Sequence, residues 1–247
     1  MENAITAGLS KQIILARALE VTANNIANQT TAGYKSERIA FREYLAQVPV
    51  NNAEANIKDP TVSLVFDSDS YTDFSAGSVE PTYNNLDFAI DGDGFFAVET
   101  ANGTQYTRDG HFSVSEFGEL VTRDGAPVLD ISGSPIILDP EAGAPILTPD
   151  GVLQQQGAAI ADLGVFQFDD NRSLRKSGDN LFAATQEATA RQSPRIRQGF
   201  IESSNVESIT AVTNMIEIMR SYQQVAQVIQ TSDELARNAI STLSERA

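Results

Sequence analysis

A chain of 247 residues, 41% hydrophobic and 20% charged, has the composition of one or two globular domains, not of a disordered polymer. A formal charge of −16 argues against a nucleic-acid partner held by phosphate contacts and against docking on an anionic lipid surface. The absence of cysteine excludes disulfides, thiolate catalysis and Cys-ligated metals.

No window approaches eighteen apolar residues, so no transmembrane helix is expected. The start, Met1-Glu2-Asn3-Ala4-Ile5, lacks a basic region and an apolar run, so no cleaved signal peptide is expected either. All nine prolines fall between Pro49 and Pro194, and every glycine except Gly8 lies between Gly33 and Gly199. The two ends are therefore free to be helical and the middle is not.

The first predicted helix runs from about Asn3 to about Asn28. Its seam is Ile5, Leu9, Gln12, Ala16, Leu19, Ala23 and Ile26, a heptad rhythm. Three of those seven residues are Ala or Gln, which permits close approach but buries little apolar area. Ile14 and Val21 sit off it and imply a second neighbour. The helix ends before Gly33, which can take a positive φ.

From Lys35 to about residue 80 the pattern predicts an extended arm or long hairpin. Val48-Pro49-Val50-Asn51-Asn52 reads as a break and Val62–Phe66 as a strand, followed by the acidic Asp67-Ser68-Asp69-Ser70. Residues 81–200 read as an antiparallel β domain, a barrel or sandwich. Asp-Gly or Asn-Gly steps at Asp91, Asp93, Asn102, Asp109, Asp124 and Asp150 supply turns between short β-rich runs. The runs are Leu86–Ile90, Phe95–Val98, Thr104–Thr107, Phe112–Val114, Leu120–Thr122, Val128–Ile131, Ile136–Leu138 and Gly164–Phe168.

The closing helix, Ser204 to Ala247, contains neither Gly nor Pro. Ser204-Asn205-Val206-Glu207 fits a capping box at its start. One seam runs Met215, Ile218, Tyr222, Val225, Ile229, Ser232, Ala236, Ala239, Leu243, and a second stripe runs Ile209, Val212, Ile216, Met219, Ala226. Two stripes imply two helical neighbours. The expected fold class is thus α+β. Helix 1–34 pairs with helix 201–247 as a coiled-coil layer, with an arm at 35–80 and an inserted antiparallel β domain at 81–200.

Chemistry is poorly served by this sequence. Asp91-Gly92-Asp93-Gly94 lacks the further acidic ligands of a calcium loop, and Asp67–Asp73 lacks the Gly and Glu that an EF-hand requires. His111 is the only histidine and follows a turn at the start of a strand, an ordinary surface position. No cofactor or metal site and no catalytic residue is expected, although the carboxylate surplus leaves a glycosidase pair conceivable.

Three runs carry more than a pattern. Ala23-Asn24-Asn25-Ile26-Ala27-Asn28-Gln29-Thr30-Thr31-Ala32-Gly33-Tyr34-Lys35 resembles the N-terminal signature of bacterial flagellar rod and hook proteins. Gln198-Gly199-Phe200-Ile201-Glu202-Ser203-Ser204-Asn205-Val206 is similar to that family's approach to its C-terminal helix, and Leu86–Val98, Tyr106–Gly110 and Gly118–Thr122 to its middle. Within the family, the modest length and short arm are most like the proximal rod type, with the distal rod or hook as the alternative. Outside it stand a peptidoglycan-acting hydrolase and a coiled-coil adhesin.

The resemblance implies a structural subunit of the flagellar basal-body rod, the drive shaft that carries torque to the hook. It implies other rod proteins and further copies of the chain as partners, with the flagellar export apparatus or its chaperones as possible ones. It also implies a periplasmic rod location reached without signal cleavage. Asn24, Asn25 and Asn28 then become candidate interface residues, the alternative being that they only end the helix. Gly33, Ser204, Asn205, Met215, Ile218, Tyr222, Val225 and Ile229 complete the candidate set.

Overall fold

A computed structural model describes the backbone of residues 2–47, 61–192 and 194–244. Side chains are described over 6–40, 70–192 and 194–235, and at 237, 238 and 241. The break expected at Val48–Asn52 lies outside the described residues, as do the side chains of Ile5, Ala236, Ala239 and Leu243.

The protein is mixed α+β, with two long helices and antiparallel sheets, and it divides into two compact units. A helical unit holds α1 (Glu2–Ala27), the strands β1 (Glu37–Gln47) and β2 (Thr61–Thr72), and α2 (Ser208–Ser244). A β unit comprises Asn28–Ser36 and Thr72–Val206.

In the helical unit α1 packs against α2. Gly8 makes part of this possible: a Cβ there would lie 2.9 Å from Cγ1 of Ile229. The buried line of α1 is Ile14, Ala18 and Val21, spaced four and three residues apart. The expected seam is met only in part: Gln12, Leu19 and Ile26 are half-buried, whereas Leu9, Ala16 and Ala23 are exposed. Ile14 and Val21, assigned to a second face by sequence, are buried with the small Ala18 between them. On α2, Met215, Ile218, Tyr222, Val225, Ile229 and Ser232 are half-buried, whereas Ile209, Val212, Ile216 and Met219 are exposed.

Strands β1 and β2 pair as a two-stranded sheet. The acidic run Asp67–Ser70, expected to follow a strand, lies inside β2. Alternating apolar residues are needed only where one face of a sheet is buried, so charge need not end a strand in a two-stranded ribbon.

The β unit is built on a six-stranded antiparallel sheet. Its order is Leu174–Gly178, Leu181–Ala184, Gly103–Thr107, Phe95–Thr100, Val165–Gln167, Thr189–Ala190. Beside it lie a three-stranded sheet (Ala158–Asp162, Val152–Gln155, Ile146–Leu147) and three two-stranded pairs. Successive side chains on a strand face opposite ways, and Phe95 and Phe96 use this to serve two cores. Phe96 joins Phe88, Val98, Phe112, Leu120 and Val165, meeting Phe112 edge-on at 5.2 Å. Phe95 joins Leu174 and Phe182, flanked by Phe74 and Phe168.

Several expected strands shrink. Val128 and Leu129 make only isolated bridges, to Val98 and Pro135, and the strand expected at Leu86–Ile90 spans Phe88–Ile90. The Gln-rich strand at Val152–Gln155 carries little apolar signal. It turns back through Gln156 and Gly157, both at positive φ, in the two-residue geometry that matches strand twist. Gly110, expected to supply a positive φ, serves differently: a Cβ there would lie 1.7 Å from the Phe88 carbonyl oxygen.

Candidate functional site

Within the β unit, three short segments far apart in sequence meet: Gly33–Ser36, Asp73–Gly77 and Glu202–Asn205. The first follows a turn in which the Thr31 N–H and hydroxyl donate to the backbone and side-chain oxygens of Asn28, at 3.2 Å each. Gly33 is required twice over. Its φ is +65°, and a Cβ would lie 2.3 Å from the Asp109 nitrogen. Close contact lets the Gly33 N–H donate to the Glu202 carbonyl at 2.7 Å. Beyond it, Tyr34, Lys35 and Ser36 are all buried, and the Lys176 ammonium lies 4.1 Å from the Tyr34 ring centre, a cation–π distance.

Lys35 and Glu202 form the centre. Lys35 is 1% exposed and Glu202 2%. The Lys35 Nζ donates to Oε1 of Glu202 at 2.6 Å and to the Ser75 carbonyl at 2.7 Å. The Gly77 N–H donates to the same Oε1 at 2.9 Å. Arg108, also buried, gives one guanidinium nitrogen to Oε2 at 3.1 Å and another to the Gly92 carbonyl at 2.6 Å. Gly77 admits no side chain, since a Cβ would lie 1.9 Å from the Ser203 carbonyl oxygen. Burial pushes the Lys35 ammonium below its ordinary pKa, and the Glu202 carboxylate opposes that shift. Burial lowers Arg108 in the same way, opposed by Glu202 and Asp93. One carboxylate thus serves two buried cations, an arrangement that enforces geometry more than it adds net stability.

Asn205 fastens the same three segments by neutral bonds. Its Oδ1 accepts from the Ser36 N–H at 2.8 Å, and its Nδ2 donates to the Asp73 carbonyl at 2.8 Å and to the Ser75 carbonyl at 3.1 Å. Its own N–H donates to the Tyr34 carbonyl at 3.3 Å. The expected capping box is replaced by this fastening. The Ser204 hydroxyl accepts from the Val206 N–H at 3.3 Å, and the helix begins four residues later, at Ser208. Glu207 accepts from the Thr210 hydroxyl instead of reaching back. With Asn205 committed to backbone partners, the chain around Ser204 stays extended and cannot cap a helix.

In the helical unit, Asn25 saturates the backbone of Glu37. Its Nδ2 donates to the Glu37 carbonyl at 2.8 Å and its Oδ1 accepts from the Glu37 N–H at 2.9 Å. Asn24 is exposed and Asn28 half-buried in the turn already described. The Asn trio therefore divides by position, with Asn25 committed inside the chain.

His111 is exposed, as expected, but it has a partner. Its Nδ1 lies 2.9 Å from Oδ1 of Asp87, which is buried and also accepts from the Asn84 amide at 3.0 Å. Asn84 shapes the local turn by accepting from the Leu86 and Asp87 N–H groups. Among the described residues no cluster of three acidic, histidine or cysteine side chains gathers in metal-binding geometry, and no helix is long and apolar enough to cross a membrane. The residues missed by sequence reasoning were Lys35, Arg108 and Glu202. Their signal was position: Lys35 closes the first quoted signature and Glu202 lies within the last.

Comparison with known proteins brings the same segments together. Residues 6–35 match the family described as flagella basal body rod protein, residues 89–161 the flagellar hook protein FlgE/F/G D1 domain, and residues 197–242 the flagellar basal body rod FlgEFG protein C-terminal region. The chain is 37% identical to the flagellar basal-body rod protein FlgF of Caulobacter vibrioides over 99% of both chains. It is 34% identical to FlgF of Mesorhizobium japonicum over 100% of both chains. It is also 30% identical to the rod protein FlgG of Bacillus subtilis, over 97% of this chain and 98% of the relative.

Proposed function

The chain belongs to the flagellar basal-body rod family, and from that membership we propose that it works as a proximal rod subunit in the shaft that carries torque to the hook. It is a structural rod subunit of the FlgF type, needed for motility, and it associates with other basal-body proteins. The observation that carries the proximal reading is similarity along the whole length to FlgF proteins, at 34–37% identity over 98–100% of this chain.

The finer mechanism rests on the helices. α1 and α2 pair as a coiled-coil layer through the Met215–Ser232 seam, and the exposed stripe Ile209, Val212, Ile216, Met219 takes a helix of a neighbouring subunit. An apolar stripe of this length on a water-facing helix calls for a partner. Interfaces between unlike surfaces of identical copies do not close on themselves, so copies of the chain stack helically. The two-stranded β1–β2 arm bridges neighbours, since an isolated ribbon is only marginally stable in water. Transmission is mechanical and uses no active site. The subunit reaches the periplasmic rod through the flagellar export apparatus, without signal cleavage.

Locating a labelled copy along isolated basal bodies by electron microscopy tests the assignment. Label at the motor-proximal end of the rod is expected. Label confined to the distal rod or hook overturns the proximal reading in favour of the FlgG-like one.

A further inference from the structure

We propose that residues 200–206 form a strap that docks last on the β unit, and that the Gly33–Ser36 and Asp73–Ser78 segments become ordered only when it closes. The strap supplies what those segments lack. Glu202 gives its carboxylate to Lys35, Arg108 and the Gly77 N–H, and its carbonyl to the Gly33 N–H. Asn205 receives the Ser36 N–H and donates to the Asp73 and Ser75 carbonyls. The Ser203 N–H donates to the Ser78 carbonyl at 2.7 Å, and Phe200–Glu202 adds a strand to Val79–Pro81.

Remove the strap and two cations keep their buried places without the carboxylate they share, which the low-dielectric interior does not tolerate. The N–H groups of Gly33, Ser36 and Gly77 lose their acceptors at the same moment. The dependence runs both ways, because Glu202 cannot be buried without the cations. The segments on either side of the strap therefore order together or not at all. Closure joins Lys35 to Glu202, 167 residues apart in the chain.

The main core does not need the strap. Phe96, Val98, Leu120, Val128 and Leu153 bury one another, and the Leu129 N–H donates to the Ala97 carbonyl at 2.9 Å within that core. Such a division makes the strap and its two client segments a sub-global unit, able to open while the sheets stay folded.

Hydrogen exchange on the full chain tests this, comparing wild type with Asn205→Ala and following wild type through sub-denaturing urea. The amides of Gly33, Ser36, Gly77 and Ser203 are expected to accelerate together by roughly tenfold in the variant. They are also expected to open in wild type below the urea concentration that releases Leu129. Acceleration at Ser36 alone would show the loss of one bond and overturn the strap. So would unchanged exchange at the four amides, or equal acceleration at Leu129. If Asn205→Ala does not fold, the wild-type urea series decides by itself: opening of the four amides together with Leu129 overturns the proposal.

Discussion

The ammonium of Lys35 and the carboxylate of Glu202 lie 2.6 Å apart, both nearly sealed from water, though 167 residues separate them in the chain. Pairs of this kind add little net stability when intact but are costly to break, because one charge stays buried alone. Lys35→Met is expected to destabilise the protein by about 3 kcal/mol and Glu202→Gln by about 5 kcal/mol. The order follows from the contacts: Lys35→Met leaves Arg108 holding the carboxylate, whereas Glu202→Gln strips the counter-charge from two cations. Urea unfolding with an unchanged slope measures both. A Glu202→Gln variant no less stable than Lys35→Met would refute the hub role of Glu202.

Glycine substitutions separate close approach from backbone strain. At Gly110 a Cβ would sit 1.7 Å from the Phe88 carbonyl oxygen, so backbone must move to admit alanine. At Gly103 the surroundings are open and only the φ of +98° opposes a side chain. Gly110→Ala is expected to cost about 3 kcal/mol or more and Gly103→Ala about 1 kcal/mol. Paired thermal melts read the difference, and equal costs would mean that the Phe88 strand yields easily.

Which of these features the sequence disclosed depends on whether the signal was local. Helix ends and turns were legible because Gly and Pro act where they stand: the middle is strand-rich between Gly33 and Gly199, and the ends are helical. The half-buried line of α2 was legible because its period is 3.5 and its residues are large. On α1 the same rule misled, since Ala16 and Ala23 kept a heptad rhythm without apolar area to bury. Lys35, Arg108 and Glu202 were illegible for a different reason. A charged residue in sequence is indistinguishable from a surface one until its partner, 94 or 167 residues away, is known. Asn205 looks like part of a helix cap because Ser-Asn-Val-Glu has the right local spacing, yet its side chain binds the non-local carbonyls of Asp73 and Ser75.

Acid dependence should reveal Asp109. Burial pushes its carboxyl above the ordinary 3.8, and the His111 N–H, which donates to it at 2.9 Å, opposes this without cancelling it. The folded state therefore binds this proton more tightly than the unfolded chain does. Its effect is absent below pH 3.8, and stability is lost as pH rises from there through the raised folded value. Asp109→Asn keeps an oxygen for the His111 N–H and removes the titration. Relative to wild type, the variant is expected to gain stability as pH rises from 3.8 through the raised folded value and to hold a constant difference above it, as followed by urea midpoints across pH. A difference that stays constant with pH would show that Asp109 titrates alike in both states.

Two isoleucines on α2 discriminate between the helix partners. Ile229 is half-buried and lies against Gly8 of α1, whereas Ile216 is 47% exposed on the stripe with Ile209, Val212 and Met219. A charge at Ile229 must enter an apolar contact within the chain, so Ile229→Glu is expected to lower stability by about 2 kcal/mol. A charge at Ile216 meets water in the isolated subunit, so Ile216→Glu is expected to stay within about 0.5 kcal/mol of wild type. In the rod the positions would exchange importance. If the stripe receives a neighbouring helix, Ile216→Glu buries an unpaired carboxylate at that interface, and assembly fails although the subunit is sound. Thermal melts of the monomer, motility in soft agar and inspection of basal bodies together read the outcome. Normal motility with Ile216→Glu would leave the exposed stripe without a partner, and an unchanged melt with Ile229→Glu would mean that the contact at Gly8 contributes nothing to holding α2.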